Sequence, residues 1–274
     1  MKIAEARRLR DEVFLRKSVR KYFPAQLPEP TLAWAVELCE SAEAPLGGEA
    51  AFRVLSGEKV GGFGLKAPHV LAIYATPWPD AILSAAFRAQ LACLALSAEG
   101  IGSCWMGMAR PSVKDRVREG LPYVIGIAFG RPQEAARRSG PEEFKRKPLS
   151  EISGGRTNDK ILEPLRLAPS AMNRQPWHVM GSGDALDLYV RRPNALGKWF
   201  GDSLMVDAGI ALSHLYLSMK AEGVFGGFAR EDFSKRTRYL FDSEKKRVDK
   251  PCAISPPSDR YYRYVLSLKT QGGG

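Results

Sequence analysis

Two long apolar helix patterns, set 123 residues apart, finish on the same turn: Leu96-Ser97-Ala98-Glu99-Gly100 and Met219-Lys220-Ala221-Glu222-Gly223. A glycine just past a helix supplies the left-handed residue that closes it, so either turn alone is ordinary. A second correspondence relates the helix ending in Ala44-Pro45 to the one ending in Ala168-Pro169, an offset of 124, and each precedes a short strand pattern, at 52–56 and 177–181. The period is too long for a solenoid. It points to two related halves, residues 1–154 and 155–274, parted near 152–156, where Ser153-Gly154-Gly155 follows the polar, proline-containing stretch 131–148. Coincidence of two common helix stops is the competing explanation.

Apolar residues recur at helical spacing over 3–14, 31–41, 81–99, 158–167 and 206–222, and short β-type runs cover 52–56, 69–75, 123–129, 177–181, 185–191 and 261–268. Helices and strands interleave with short connections, which predicts an α+β fold: a three-layer α/β/α sandwich with helices around mainly antiparallel sheets. In the last strand Tyr262, Tyr264, Leu266 and Leu268 share one face by period two, so one buried side is expected. The closing Gly272-Gly273-Gly274 reads as a disordered tail.

The chain carries 41 Lys and Arg against 30 Asp and Glu, a formal charge of +11, which suits an anionic ligand, a nucleic acid or an acidic surface. The basic residues are scattered in short clusters, without a long basic arm, a reading helix, a zinc finger or an RNA-binding aromatic pair, so no nucleic-acid partner is expected. Four cysteines without a C-x-x-C pair and three histidines without ligand spacing predict neither a metal site nor a disulfide framework. Residues 1–15 are basic and amphipathic, unlike a signal segment, and the most apolar helix is interrupted by Arg88, Gln90 and Glu99. No membrane association and a reducing, cytoplasmic setting follow as expectations.

Two segments carry candidate chemistry. In Arg16-Lys17-Ser18-Val19-Arg20, an extended backbone places Arg16, Ser18 and Arg20 on one side, two guanidinium forks and a hydroxyl suited to a terminal phosphate. A solvated basic loop end is the plain alternative. In Leu167-Ala168-Pro169-Ser170-Ala171-Met172-Asn173-Arg174-Gln175-Pro176-Trp177-His178, two prolines fix both ends of a polar loop in which Ser170 and Asn173 can meet the edge of a planar heterocycle. A helix stop with an Asx-turn explains it equally. Gly61-Gly62-Phe63-Gly64 precedes a strand and is no dinucleotide fingerprint. His178 reads as structural.

Taken together, R-K-S-V-R-K-Y-F and A-P-S-A-M-N-R-Q-P-W resemble the nitroreductase family, FMN enzymes that reduce nitroaromatics, quinones and related acceptors with NAD(P)H. Gly100-Ile101-Gly102-Ser103-Cys104-Trp105-Met106-Gly107 and Arg146-Lys147-Pro148-Leu149-Ser150-Glu151 match further family marks. The resemblance implies a nitroreductase-like fold, a ping-pong cycle in which NADH or NADPH delivers hydride to flavin N5, and a small-molecule acceptor at the same face. It implies that Arg16, Lys17 and Ser18 meet the FMN phosphate and ribityl chain and that Arg146 completes the phosphate site. Arg20 supports the reduced ring electrostatically, and no side chain is itself catalytic. Pro169, Ser170, Met172 and Asn173 come from the other half, and the backbone at Trp105, Met106 and Gly107 lines a flavin face. Core packing is the plain reading of Trp105 and Met106.

The order of motifs departs from the family. Its Ser/Asn loop usually follows R-x-S-x-R closely and the subunits dimerise. Here Ser41-Ala42-Glu43-Ala44-Pro45-Leu46-Gly47-Gly48 stands in that place, and the loop is delayed to the second half, which lacks R-x-S-x-R. The chain therefore resembles a fused pseudo-dimer, monomeric, with one flavin site kept, one decayed, and the helices at 81–99 and 206–222 as the interface between halves. A non-catalytic FMN-binding protein, or a degenerate homologue without flavin, is the alternative.

Overall fold

The computed structural model describes residues 1–61, 65–182, 184–191, 201–230 and 262–271. Most of Gly61-Gly62-Phe63-Gly64, residue 261 of the last expected strand, Cys252 and the glycine tail lie outside them. In the first part of the chain, helices α1 (Ile3–Val13) and α2 (Glu29–Glu40) precede strands β1 (Ala50–Ser56), β2 (Val60–Gly61) and β3 (His69–Ala75), then the long helix α3 (Pro79–Ala98). Strands β4 (Gly102–Met106), β5 (Arg110–Pro111), β6 (Val117–Arg118) and β7 (Leu121–Gly130) follow. The rest comprises α4 (Leu149–Ile152), β8 (Ser153–Gly155), α5 (Asp159–Arg166), β9 (Trp177–Ser182), β10 (Ala185–Arg191), α6 (Gly201–Ala221), β11 (Phe225–Ala229) and β12 (Tyr262–Thr270).

The two main sheets share one strand order. In the first, β1 and β3 pair antiparallel, α3 leaves β3, β4 takes the far edge, and β7 returns between β3 and β4. In the second, β9 and β10 pair antiparallel, α6 follows β10, β11 takes the far edge, and β12 returns between β10 and β11. Both long helices close in the same way. Gly100 and Gly223 each have φ +74°, and Ile101 N–H donates to the Leu96 carbonyl (2.9 Å) as Val224 N–H does to Met219 (3.0 Å).

Helices α3 and α6 pack against each other, α3 also against the first sheet and α6 against the second. Leu71 and Ile73 of β3 join α3 in the main core, whereas Val70, Ala72 and Tyr74 face a second cluster built with Val19, Tyr22 and Met106 and containing no helical residue. The layers among the described residues therefore run sheet, helices, sheet, a correction to the expected α/β/α order. Its cause is that α3 is buried on all sides, from Ala81 to Ser97 nearly without interruption, and such a helix can only sit in the middle. By length and composition α3 also passes for a membrane span, and this central position accounts for its apolarity.

Residues 153–155, where the boundary between halves is expected, form β8, which pairs parallel with β9 at the edge of the second sheet. Strand β12 is central, and Val265 and Ser267 are as buried as Leu266 and Leu268, so both faces are covered.

Helix α5 is tied to α6 by a side-chain hydrogen bond. Asn158 caps it by accepting the Lys160 N–H (3.0 Å). Pro164 lies inside the helix and has no N–H, which leaves the Lys160 carbonyl without its partner four residues on. Ser218 of α6 donates to that carbonyl instead (3.2 Å).

Candidate cofactor site

The segment 16–20 is extended, as the alternation predicts, and lies along β4: Val19 N–H donates to the Ser103 carbonyl (3.0 Å), and Ser18 bridges Ser103. Gly102 makes this possible, because a Cβ there would stand 2.8 Å from Val19 side-chain atoms. Arg16 is thereby buried, 3% exposed, and its Nη1 has no hydrogen-bond partner. The nearest carboxylate charge, Glu12, is engaged by Arg137 (2.8 Å) and by the Ser97 hydroxyl (2.6 Å). Burial lowers the Arg16 pKa, and nearby thiols and Glu12 only partly offset this.

Two more guanidinium groups converge here. Arg138 donates to the Arg16 carbonyl (2.7 Å) and sits 4.1 Å over the Phe144 ring. Arg146 lies 5.6 Å from the same ring, and its pKa falls to about 10, first through burial, then through the like charges of Arg16, Arg138 and Arg166. Among the described residues no carboxylate lies within ion-pair distance of Arg16, Arg138 or Arg146. Like charges gathered this closely in a part-buried site raise one another's energy unless a negative group is brought to them. The Lys17 ammonium is 3.7 Å from Glu134, whose carboxylate also accepts the Arg20 N–H (3.1 Å). Arg20 itself is exposed, its guanidinium reaching, among the described residues, only the Ser18 carbonyl at 3.4 Å.

The loop between Pro169 and Pro176 is brought to the same place by Arg146. This residue donates to Asn173 Oδ1 (2.6 Å) and to the Ala168 carbonyl (3.1 Å), while Asn173 Nδ2 donates to the Lys145 carbonyl (2.8 Å). Lys147 N–H donates to Gln175 Oε1 (2.8 Å). The Asn173 amide thus clasps the 145–147 segment, and one of its two Nδ2 protons is used in doing so. Ser170 accepts the Gln175 N–H (2.9 Å) and retains its own hydroxyl proton for donation. Met172, Asn173 and Gln175 all have φ near +50°, a left-handed cluster of non-glycine residues that the clasp holds in place. Met172 is 78% exposed, and Pro169 is half-buried.

Strand alternation on β4 separates Trp105 from Met106. Trp105 turns toward the helices and is half-buried, Met106 packs into the outer core as the plain reading holds, and Gly107 is exposed. Sequence reasoning missed Arg138, Gln175, Gln90, Asp207 and His214 as parts of this region. A polar residue inside an otherwise apolar helix was the available signal for the last three.

Asp207, near the start of α6 and 4% exposed, accepts the Ala171 N–H (2.9 Å) and so holds the other side of the loop. Burial pushes its pKa up from 3.8 to about 7, against weaker opposing effects of that amide and Arg174. The folded carboxyl therefore binds a proton that the unfolded chain has released. Its stabilising effect is complete below the unfolded value and is lost as pH rises through about 7. Asp207→Asn is expected to gain on the wild type in thermal unfolding as pH is raised from about 5 to about 8, by roughly 2–3 kcal/mol. Parallel curves for the two proteins across that range contradict this.

Comparison with known proteins gives the following. The family model described as "Putative TM nitroreductase" matches residues 8–219. A crystal structure of "a putative nitroreductase" from Thermotoga maritima is similar at 25% identity, covering 77% of this chain and 83% of its own, with a TM-score of 0.54. A nitroreductase family protein from Streptococcus pneumoniae aligns at 15% identity over 54% of this chain and 98% of its own, TM-score 0.42. An FMN-dependent nitroreductase from Clostridium difficile aligns at 20% over 50% and 93%, TM-score 0.37. No curated protein matches the chain.

Proposed function

Since the chain belongs to the nitroreductase family, we propose that it is an FMN-dependent NAD(P)H oxidoreductase, monomeric, whose one cofactor site is shared by two fused, related halves. The observation that carries this is the buried Arg16 guanidinium with an unpartnered Nη1, flanked by Arg138 and Arg146 and, among the described residues, lacking a carboxylate. An FMN phosphate, with roughly two negative charges, has the chemistry to complete it. The matching strand order of the two sheets and the matching glycine turns support the fused-halves reading.

In this reading Arg16, Arg138 and Arg146 bind the phosphate, and Ser18 and the Ser170 hydroxyl serve the rest of the cofactor. Lys17, neutralised by Glu134, sets the course of the backbone. Arg20, exposed and without a carboxylate of its own among the described residues, places a positive charge where a reduced ring gains a negative one. Trp105 forms a wall that excludes water, and the backbone from Trp105 to Gly107 borders it. Bound FMN supplies the redox chemistry, accepting hydride from NADH or NADPH and reducing a small acceptor such as a nitroaromatic or quinone.

The test is spectroscopic. Purified protein titrated with FMN is expected to hold the flavin, to bleach under NADH or NADPH without oxygen, and to regain colour when a quinone or nitroaromatic is added. Flavin retained but never bleached identifies a non-catalytic FMN-binding protein. Failure to hold FMN at all identifies a degenerate homologue and refutes the proposal.

A further inference from the structure

A chain of hydrogen bonds crosses the apolar interface between the two long helices. The Trp105 indole N–H donates to Gln90 Oε1 (2.9 Å), Gln90 Nε2 lies 2.9 Å from His214 Nε2, and His214 Nδ1 lies 2.8 Å from the Pro164 carbonyl. Gln90 is 0% and His214 1% exposed. One assignment satisfies every atom. A carbonyl can only accept, so His214 carries its proton on Nδ1, and a neutral imidazole then has an acceptor at Nε2. Gln90 must turn its NH2 to that nitrogen, which leaves its oxygen for the indole. The ring is held neutral, its pKa pushed down to about 3 chiefly by burial, with Arg16 and Arg146 adding to this against the Pro164 hydrogen bond.

Stability does not call for this chain. Neighbouring positions on α3 and α6 are mostly Ala, Leu and Ile, and an apolar pair would fill the same space without two buried polar groups to satisfy. What the chain does is geometric. It starts at Trp105 on β4, beside segment 16–20, and ends on α5, the helix that leads directly into the Ser170 loop. We propose that Gln90 and His214 are positioning residues that fix the Trp105 indole as one wall of the FMN cleft and tie it to the helix bearing the opposite wall. The proposal rests on the FMN reading above.

The experiment compares wild type, Gln90→Leu, His214→Gln, Trp105→Phe and the double variant Gln90→Leu/Trp105→Phe. Cofactor-free protein is read first, by exchange of the Trp105 indole proton: slow in wild type and His214→Gln, fast in Gln90→Leu. FMN affinity and the visible circular dichroism of bound flavin are read next. Gln90→Leu is expected to lose up to about tenfold in affinity and to alter the dichroism. Trp105→Phe should do the same, the double variant no more than either single one, and His214→Gln, which can still donate and accept, should stay near wild type. Wild type that binds FMN while Gln90→Leu matches it in affinity and dichroism overturns the proposal, as does full additivity in the double variant. Wild type that fails to bind FMN overturns the cofactor reading and this proposal with it. A merely structural pair would shift the melting temperature and leave the dichroism of bound flavin unchanged.

Discussion

Arg16→Met is expected to lose FMN affinity by a factor of about 100 or more while the cofactor-free protein becomes more stable. The two effects have one cause. Arg16 is almost fully buried, its Nη1 is unpartnered, and Glu12 is already engaged by Arg137 and Ser97. A buried charge of this kind costs several kcal/mol unless an anion arrives, and an apolar side chain of similar length removes that cost, commonly for a gain of about 1–4 kcal/mol. Once an anion is bound the sign reverses, because truncating one member of a desolvated charge pair costs about 2–5 kcal/mol. The backbone carbonyl that Arg138 uses is untouched by the substitution. Differential scanning of wild type and variant, each with and without excess FMN, reads both effects. FMN should raise the midpoint of wild type but barely that of the variant. A variant that is less stable without FMN and equally stabilised by it would show that Arg16 packs and does not bind.

Gly209→Ala is expected to destabilise the protein by roughly 2–3 kcal/mol, although alanine is the better helix former by about 1 kcal/mol. A Cβ at this position of α6 would stand 2.3 Å from the Leu83 carbonyl and 2.9 Å from both Ala86 Cβ and Phe87 N on α3. Those are mostly backbone atoms of a helix buried on all sides, so the helices themselves have to separate. Separation also strains the Gln90 to His214 link further along the same interface. Gly209→Leu is expected to prevent folding into this arrangement. Urea unfolding checks the first variant, and a gain in stability for it would mean that α3 and α6 do not touch as closely as described.

The long elements were legible because burial imposes a period. The patterns at 3–14, 69–75 and 185–191 became α1, β3 and β10 almost residue for residue. Besides the two-residue strands β2, β5 and β6, those that escaped notice were β4, β8 and β11, whose sequences Gly-Ser-Cys-Trp-Met, Ser-Gly-Gly and Phe-Gly-Gly-Phe-Ala are short and weakened by glycine. The layer order was implicit in how uniformly apolar 81–98 is, yet a pattern does not say what covers a helix. In the site, residue types announced a cationic centre and a rigid polar loop. Which cation lacks a partner was not legible: Lys17 meets Glu134, 117 positions away, whereas Arg16 meets no carboxylate among the described residues, and only tertiary structure decides that. The Asn173 clasp was hidden for the same reason, since its partners lie on the 145–147 segment.

The account turns on one anion-binding cleft assembled by both parts of a single polypeptide. Native mass spectrometry of the protein during an FMN titration addresses it most directly. The prediction is a saturating species of one chain carrying one FMN. Two flavins on one chain, flavin found only on a two-chain species, or no flavin at any excess would contradict it.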